Sequence, residues 1–566
     1  MYSSGHDGVC SDMWDTSYSS SYWCGNASSG GWAEVDNEFA KSGRLGIPVG
    51  LTYKVDSLFA DRAKHWNNAT SAVIHAWHSQ SWFTNMFEVK RHTNSTLFFG
   101  RGGSQGGRSW CRCDQCSYAA KDWCKNNTDP KALISGTFYV ENVLEELDSP
   151  QEFYSSAGSL EILLNATYDP YNISFIVPRL STLIEIRGTT NIVISKVGFR
   201  DTKQTYLDKY GVPSGGDWAL NKQAAIVIED SSFITVKHSQ FKRLDSNGIL
   251  LMKRCRNVTL KGNEFSWIGE SAMAAWGETN EWDGQAGNQP RGTVVKHNIV
   301  REIGIYEKQS SAWFQAKSCQ TTITGNLFFN MPRAAINFND GFGGGNIVSN
   351  NFIFNTCRES GDHGAINSWD RQPFIWDSIL GFNPQPTFIT NNFIFAGYGA
   401  SQGVDNDDGS SFYHIINNVF YDADGFKMDY GGHDSLFADN LIITRPYDGQ
   451  NCVNMAAFYP KHQHRYMFNT CIMPVSVRQK VGHLSYCNGN NQKPGILRNN
   501  SYFSKGANAS FECNGQLDTL LQVQEKFHLE SGSMSNELPS DDIIFDWIHS
   551  KVQSFHQQPT KRMEIM

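Results

Sequence analysis

From residue 190 onward one short pattern recurs and limits the fold more than anything else in the chain. It runs alternating apolar residues, a small or polar residue, Asn, then an apolar or aromatic residue. Copies include "NIVISKVGF" at 191, "NVTLKGNEF" at 257, "TTITGNLFF" at 321, "TFITNNFIF" at 387, "YHIINNVF" at 413 and "GILRNNSYF" at 495. They return at intervals of roughly 30 residues, in the range that marks solenoids. Alternation with period two says strand, and no helical segment intervenes, so each interval reads as one turn of a parallel β-solenoid. Asn263, Asn298, Asn326, Asn351, Asn392, Asn418, Asn440, Asn469 and Asn500 hold one place in their copies. Stacked there, their side chains can hydrogen-bond along the axis and satisfy a tight turn. A propeller needs about 40 to 50 residues and four strands per blade, and these copies are too close. The predicted fold is all-β, a right-handed parallel β-helix of about eleven coils.

Each coil carries a second strand ahead of the pattern: "NGILLM" at 247, "SAMAAW" at 271, "SAWFQA" at 311, "AAINFND" at 334, "GAINSWD" at 364, "GVDNDDG" at 403 and "GFKMDYG" at 425. Alternation assigns Ile249, Met273, Phe314, Ile336, Phe338, Ile366, Val404, Phe426 and Met428 to the inside. The outward set is then Trp276, Trp313, Gln315, Asn337, Asn339, Asn367, Trp369, Asp405, Asp407, Lys427 and Asp429. With neighbouring coils about 4.8 Å apart, these residues form one stripe, tryptophans towards one end and carboxylates towards the other. Long loops at 200–224, 268–291 and 355–385 flank it. The acidic run from Asp405 is not an EF-hand, because Ser410 stands where Gly is required and Ile416 where Glu is required.

Nucleic acid is excluded as a partner: the net charge is -8 and no basic run offers a phosphate footprint. No stretch approaches the roughly 20 apolar residues that span a bilayer. "MYSSGHDGVC" lacks the charged start and apolar run of a signal peptide. Export is nevertheless expected from 13 Cys and from sequons such as Asn68, Asn94, Asn172 and Asn257. The cluster Cys111, Cys113, Cys116 and Cys124 could instead hold zinc, although its spacing matches no common ligand pattern. "GFGGGN" at 341–346 lacks the P-loop Lys-Ser/Thr. His75 and His78, three apart on a strand, face opposite sides and read as packing and surface.

The segment "FYVENVLEELDSPQEFYSSAGSLEILL", 138 to 164, resembles the E-N-x-L-E-E-L-D-x-P-G-E-W signature of the insertion domain in β-helix proteins similar to glycoside hydrolase family 141. "CRESGDHGAINSWDRQP", 357 to 373, resembles a strand-and-loop motif of their fungal and protist relatives. The resemblance covers most of the chain, from about residue 45 to 550. It implies a β-sandwich-like insertion module at 50–175, remnants of early coils at 1–49, the β-helix at 176–505 and a C-terminal cap and tail at 506–566. "PQEF" replaces P-G-E-W, and most coils that relatives place before the insertion are missing, so Met1 is expected to begin inside the domain. "PSDDIIFDWIHSKV" reads as a helix closing the far end, with Ser540 as N-cap and Ile544, Trp547, Ile548 and Val552 on one face.

A long groove lined by Trp, Asn, Asp and Gln suits an extended polysaccharide, and its hydrolysis needs an acid and a base or nucleophile. Asp405, Asp407 and Asp429 are the candidates for those roles, with Asp370 next to Trp369 a further one. Trp276, Trp313, Trp369, Gln315, Asn337, Asn339, Asn367, Arg371, His363 and His433 are the candidates for sugar contacts. Asp362 and Arg371 read equally well as an ion pair stapling their loop, and His433 as a turn residue. Two other readings stay open. One is a polysaccharide lyase or epimerase, with carboxylates holding calcium against a uronate and Lys427 abstracting its C5 proton. The other is a non-catalytic carbohydrate-binding or wall-associated solenoid. The hydrolase reading needs no cofactor, calcium enters only with the lyase, and the expected state is a secreted monomer.

Overall fold

The computed structural model describes residues 50–555 except 54–56, 78–83, 94, 104–137, 209–217, 281–282, 340–343, 362, 370–373, 378–380, 399–401, 408, 429–431, 445–450, 456–461, 475–479, 485–486, 488–494 and 514. The cysteine cluster, His78, Asp362, Asp370, Arg371, Asp429 and the first half of the glycine run lie outside the described residues.

The repeat builds a parallel β-helix. Its strands fall into sheets of 13, 12 and 11 members, each strand hydrogen-bonded to its counterpart one coil away. One copy of the pattern supplies two strands. In "TTITGNLFF", Thr322–Thr324 joins the 11-stranded sheet and Leu327–Phe329 the 12-stranded sheet. Asn326 sits at the corner between them. Its side chain donates to Asn351 Oδ1 at 2.9 Å, and the bond repeats from Asn263 to Asn500 without a gap. From Asn263 to Asn469, each ladder residue's backbone N–H donates to the same oxygen, as Asn326 N does to Asn351 Oδ1 at 3.0 Å. The residue before each ladder Asn is left-handed, as at Gly325, Asn350, Asn391 and Asn417. That explains the Gly and Asn found there, because other side chains pay a steric penalty in this region. The last rung, Asn500, donates to buried Glu530 at 3.0 Å. Burial raises the Glu530 pKa, against hydrogen bonds from Asn500, Ser533 and Tyr502.

Inward rows from the three sheets merge into one apolar column along the axis, with Ile249, Val295, Phe328, Ile366, Phe420 and Tyr466 among its members. Each such side chain contributes about 1.5–3 kcal/mol by leaving water. Two disulfides, Cys452–Cys471 and Cys487–Cys513, lie in this column. Such bonds persist in oxidising compartments. Cys255, Cys319 and Cys357 are buried and lie outside these two disulfides.

The predicted helix forms at Asp541–Ser554 with Ser540 as N-cap, but it does not cover the far end. Its residues Ile544, Trp547, Ile548 and Val552 pack on Val419, Leu441, Ile443 and Ile472, on the outer side of the 12-stranded sheet. An apolar outward row draws the apolar helix face to the flank of the solenoid. The end is closed by Leu520–Phe527, which starts at a Thr519–Gln522 capping box and places Leu520 and Val523 in the core column.

A separate compact unit comprises Met1–Ser181, Asp201–Lys222 and Tyr306–Gln309. Its described part holds a five-stranded antiparallel sheet in the order Gly50–Thr52, Thr96–Gly102, Thr84–Thr93, Val73–Trp77 and Phe138–Glu141. Phe59, Trp66, Ile74, Phe87 and Phe138 form its own core. The E-E pair of the signature segment has a structural job there. Glu146 accepts from Arg62 Nε at 2.9 Å and Trp66 Nε1 at 2.6 Å, and Glu145 accepts from the Asn67 N–H at 2.7 Å. His75 is buried, stacked on Tyr139 and 3.0 Å from Glu141.

Candidate functional site

The 13-stranded sheet carries the predicted stripe, and its register states which residues share a row. Ile336, Ile366, Val404, Phe426 and Val453 stack inward. One residue on, Asn337, Asn367, Asp405 and Lys427 form an outward row that continues through Asn454, His483 and Glu512. Adjacent members are about 4.8 Å apart. A parallel outward row runs Trp276, Ala316, Asn339, Trp369.

Two assignments need correction. Trp313 pairs with Met273 and Ile336 and belongs to the core column, while Phe314 pairs with Ala274 and Asn337. Trp313 and Gln315 therefore face inward, and Phe314 faces outward. A one-residue change of register exchanges every side chain between faces. Gln315 is tolerated inside because its amide is satisfied: it accepts from Trp313 Nε1 at 2.9 Å and donates to Ser318 O at 3.0 Å.

The outward row is enclosed rather than open. Asp405 is 0% exposed and Lys427 3%. Lys427 Nζ lies 3.0 Å from Asp405 Oδ1, an ion pair without the angle of a well-formed hydrogen bond. Asn337 Oδ1 accepts from Arg333 Nη1 at 2.6 Å; Arg333 Nη2 meets His363 Nε2 at 3.0 Å, and His363 Nδ1 hydrogen-bonds Ser360. Among the described residues, the side-chain nitrogens of Asn337 and Asn339 are buried without a partner. An amide donor left unpaired inside a protein costs about 1–3 kcal/mol, so these two point to an acceptor such as water or a ligand hydroxyl. Trp276 and Trp369 are buried beside this set.

Asp407 stands past the end of strand Gln402–Asn406, half-buried, in a turn where its N–H donates to Ser368 O and its carbonyl accepts from Ser410. Asp370, Arg371 and Asp429 fall outside the described residues. Sequence reasoning missed the continuation of the row. Asn454, His483 and Glu512 are half-buried, so the file reaches solvent at this end. His483 Nδ1 lies 3.3 Å from Glu512 Oε1, and Lys480 pairs with the same carboxylate. The Lys480 ammonium holds the Glu512 carboxyl below the ordinary range, against burial. Carrying the alternation on through "CVNM", "VGHL" and "SFEC" finds these residues.

His433 is half-buried on the turn after the Lys427 strand, with its ring 3.0 Å from Asp434 and 4.0 Å, centroid to centroid, from the His462 ring of the next coil. Burial lowers its pKa, opposed by the hydrogen bond to Asp434. Although burial works against it, the imidazoles of His462 and His433 hold the Asp434 carboxyl below the ordinary range.

Register and site together define a parallel β-helix with an enclosed polar file along the outside of one sheet. The family described as "Periplasmic copper-binding protein (NosD)" matches residues 171–381. A solved structure titled "Glycoside hydrolase" is similar at 15% identity over 88% of this chain and 75% of its own, with a TM-score of 0.46. The A-module of the Azotobacter vinelandii mannuronan C-5 epimerase AlgE6 is similar at 12% identity over 44% of this chain and 64% of its own, TM-score 0.27. An alginate lyase from Paenibacillus sp. strain FPU-7 is similar at 12% identity over 56% and 92%, TM-score 0.30. No curated protein matches the sequence.

Proposed function

We propose that this protein is a secreted, carbohydrate-active β-helix enzyme that hydrolyses an extended polysaccharide along the outward file. One observation carries the reading. Asn337 and Asn339 present unsatisfied amide donors beside a buried carboxylate and two tryptophans, all on one face of the sheet. Trp faces take sugar rings and the amides take hydroxyls, while Asp405 with Asp407 and Asp429 supplies acid and base. Because Asp405 is buried while Asn454 and His483 are half-buried, the substrate enters the file from the Asn454 and His483 end.

The place of Lys427 beside Asp405 supports a second reading, in which calcium takes the Asp405 carboxylate, the Lys427 amine is released from its ion pair, and that amine abstracts the C5 proton of a uronate. Digestion of a glycan panel with and without chelator separates the two. Hydrolysis yields new reducing ends and no unsaturated product and survives chelation; a lyase stops and leaves ultraviolet-absorbing ends. Retention of a glycan without any cleavage would leave only the binding module.

A further inference from the structure

Among the described residues outside the outward file, one group of side chains combines ligand chemistry with convergent geometry. His433, Asp434 and His462 each offer a ligand atom, and these atoms all lie within 4.8 Å of one another. His433 Nδ1 stands 3.0 Å and His462 Nδ1 2.5 Å from the same oxygen, Asp434 Oδ2. We propose that these three residues form a binding site for a divalent transition-metal ion of the zinc class.

The ligand set fits such an ion. Two imidazole nitrogens and one carboxylate oxygen suit a borderline metal, whereas calcium and magnesium prefer an all-oxygen shell. Bonds of about 2.0–2.2 Å in a tetrahedral arrangement set donor atoms about 3.3–3.6 Å apart, so ligation requires these atoms to part by only about 1 Å or less. The three residues come from adjacent coils, ahead of the paired strands Leu436–Ala438 and His464–Met467, so the solenoid fixes their separation.

Their surroundings hold them in place. Asp434 has a left-handed backbone with φ 53°, and its second oxygen accepts from the Gln463 N–H at 3.2 Å. The His433 N–H donates to Ser411 Oγ at 3.1 Å. Buried His464 accepts the Ser435 N–H at Nδ1, which leaves Nε2 to donate to Gly432 O at 3.0 Å and pin the turn that carries both ligands. Outer contacts of this kind orient metal ligands and raise affinity. The three side chains keep 22%, 31% and 35% exposure, so an ion reaches them from solvent and keeps an open coordination position for water.

The test is Zn2+ titration of the full chain by calorimetry, with a competing chromophoric chelator to count equivalents, for wild type and for the double variant His433→Ala/His462→Ala. Reading the difference cancels any zinc held by thiols elsewhere. The expected result is one fewer equivalent in the variant, and at least a 10-fold weaker affinity for this equivalent in Asp434→Asn. His549→Ala, an exposed histidine on the helix Asp541–Ser554, should bind as wild type does. Circular dichroism confirms that the variants fold; should the double variant not fold, Asp434→Asn and the single His462→Gln carry the comparison. Equal stoichiometry and affinity in wild type and variants, or a cluster that takes Ca2+ in preference to Zn2+, overturns the proposal and leaves the three residues as a turn staple.

Discussion

Replacing Asn392 by Ala cuts the ladder at its middle rung. The Asn392 carbonyl oxygen accepts the backbone N–H and the side-chain amide of Asn351, both at 3.0 Å. Its nitrogen donates to Asn418 Oδ1, Val348 O and Thr390 O at 3.0, 3.0 and 3.1 Å. Asn392→Ala removes all of them. The Asn351 backbone N–H becomes a buried donor without an acceptor, at about 1–3 kcal/mol, and each of the other lost bonds contributes about 0.5–1.5 kcal/mol net. The Asn351 side chain keeps Ile323 O and so offsets part of the loss. The expected destabilisation is about 3–5 kcal/mol. Urea unfolding should show a lower midpoint at an unchanged slope. Because each coil touches only its neighbours, the damage should stay local. Hydrogen exchange should accelerate at Asn351 and its coil while the Asn469 coil keeps its protection. A loss below about 1 kcal/mol, or acceleration spread evenly along the solenoid, would refute the claim that the ladder holds the coils together.

Three further outcomes follow from single contacts. Burial lowers the pKa of His464, and of His414 with help from Arg465, to about 4, against about 6.5 when unfolded. Below pH 6.5 the unfolded chain binds more protons, so stability present above that pH is lost as pH falls towards 4, by about 3 kcal/mol for His464; melting curves from pH 7 to 4.5 should show the loss, flattened in His464→Gln. Lys427→Met removes the ammonium beside the buried Asp405 carboxylate and should cost about 3–5 kcal/mol, of which Asp405→Asn in the same chain should restore a large part, read by urea midpoints. Phe468 is exposed and left-handed (φ 60°) at a position where most other coils carry Asn or Gly; Phe468→Asn should raise stability by about 0.5–1 kcal/mol in the same assay.

The fold was legible because its determinants are local and repeated. The ladder Asn and the turn residue before it recur in the sequence at the places where the corner geometry requires them. The outward file was legible only in part. In "SAWFQA" two large apolar residues adjoin, so alternation alone permits either Trp313 or Phe314 to face the core. The choice is made by pairing with Met273 and Ile336 in neighbouring coils. Enclosure of Asp405 was not legible, because burial of an outward residue depends on what lies over the sheet and not on its own strand. The His433–Asp434–His462 group escaped notice because Asp434 and His462 are 28 residues apart in sequence and meet only through coil stacking.

The central claim is that the Asp405 file cleaves a glycan, and the direct measurement is activity of Asp405→Asn, Asp407→Asn and Asp429→Asn on whichever glycan the wild-type protein cleaves, scored by reducing ends. The account predicts that folded Asp405→Asn loses activity by 100-fold or more, in the range about 10²–10⁴ given by a positioned acid or base, with no unsaturated ends and no effect of chelator in the wild type. Undiminished cleavage by all three variants would contradict it.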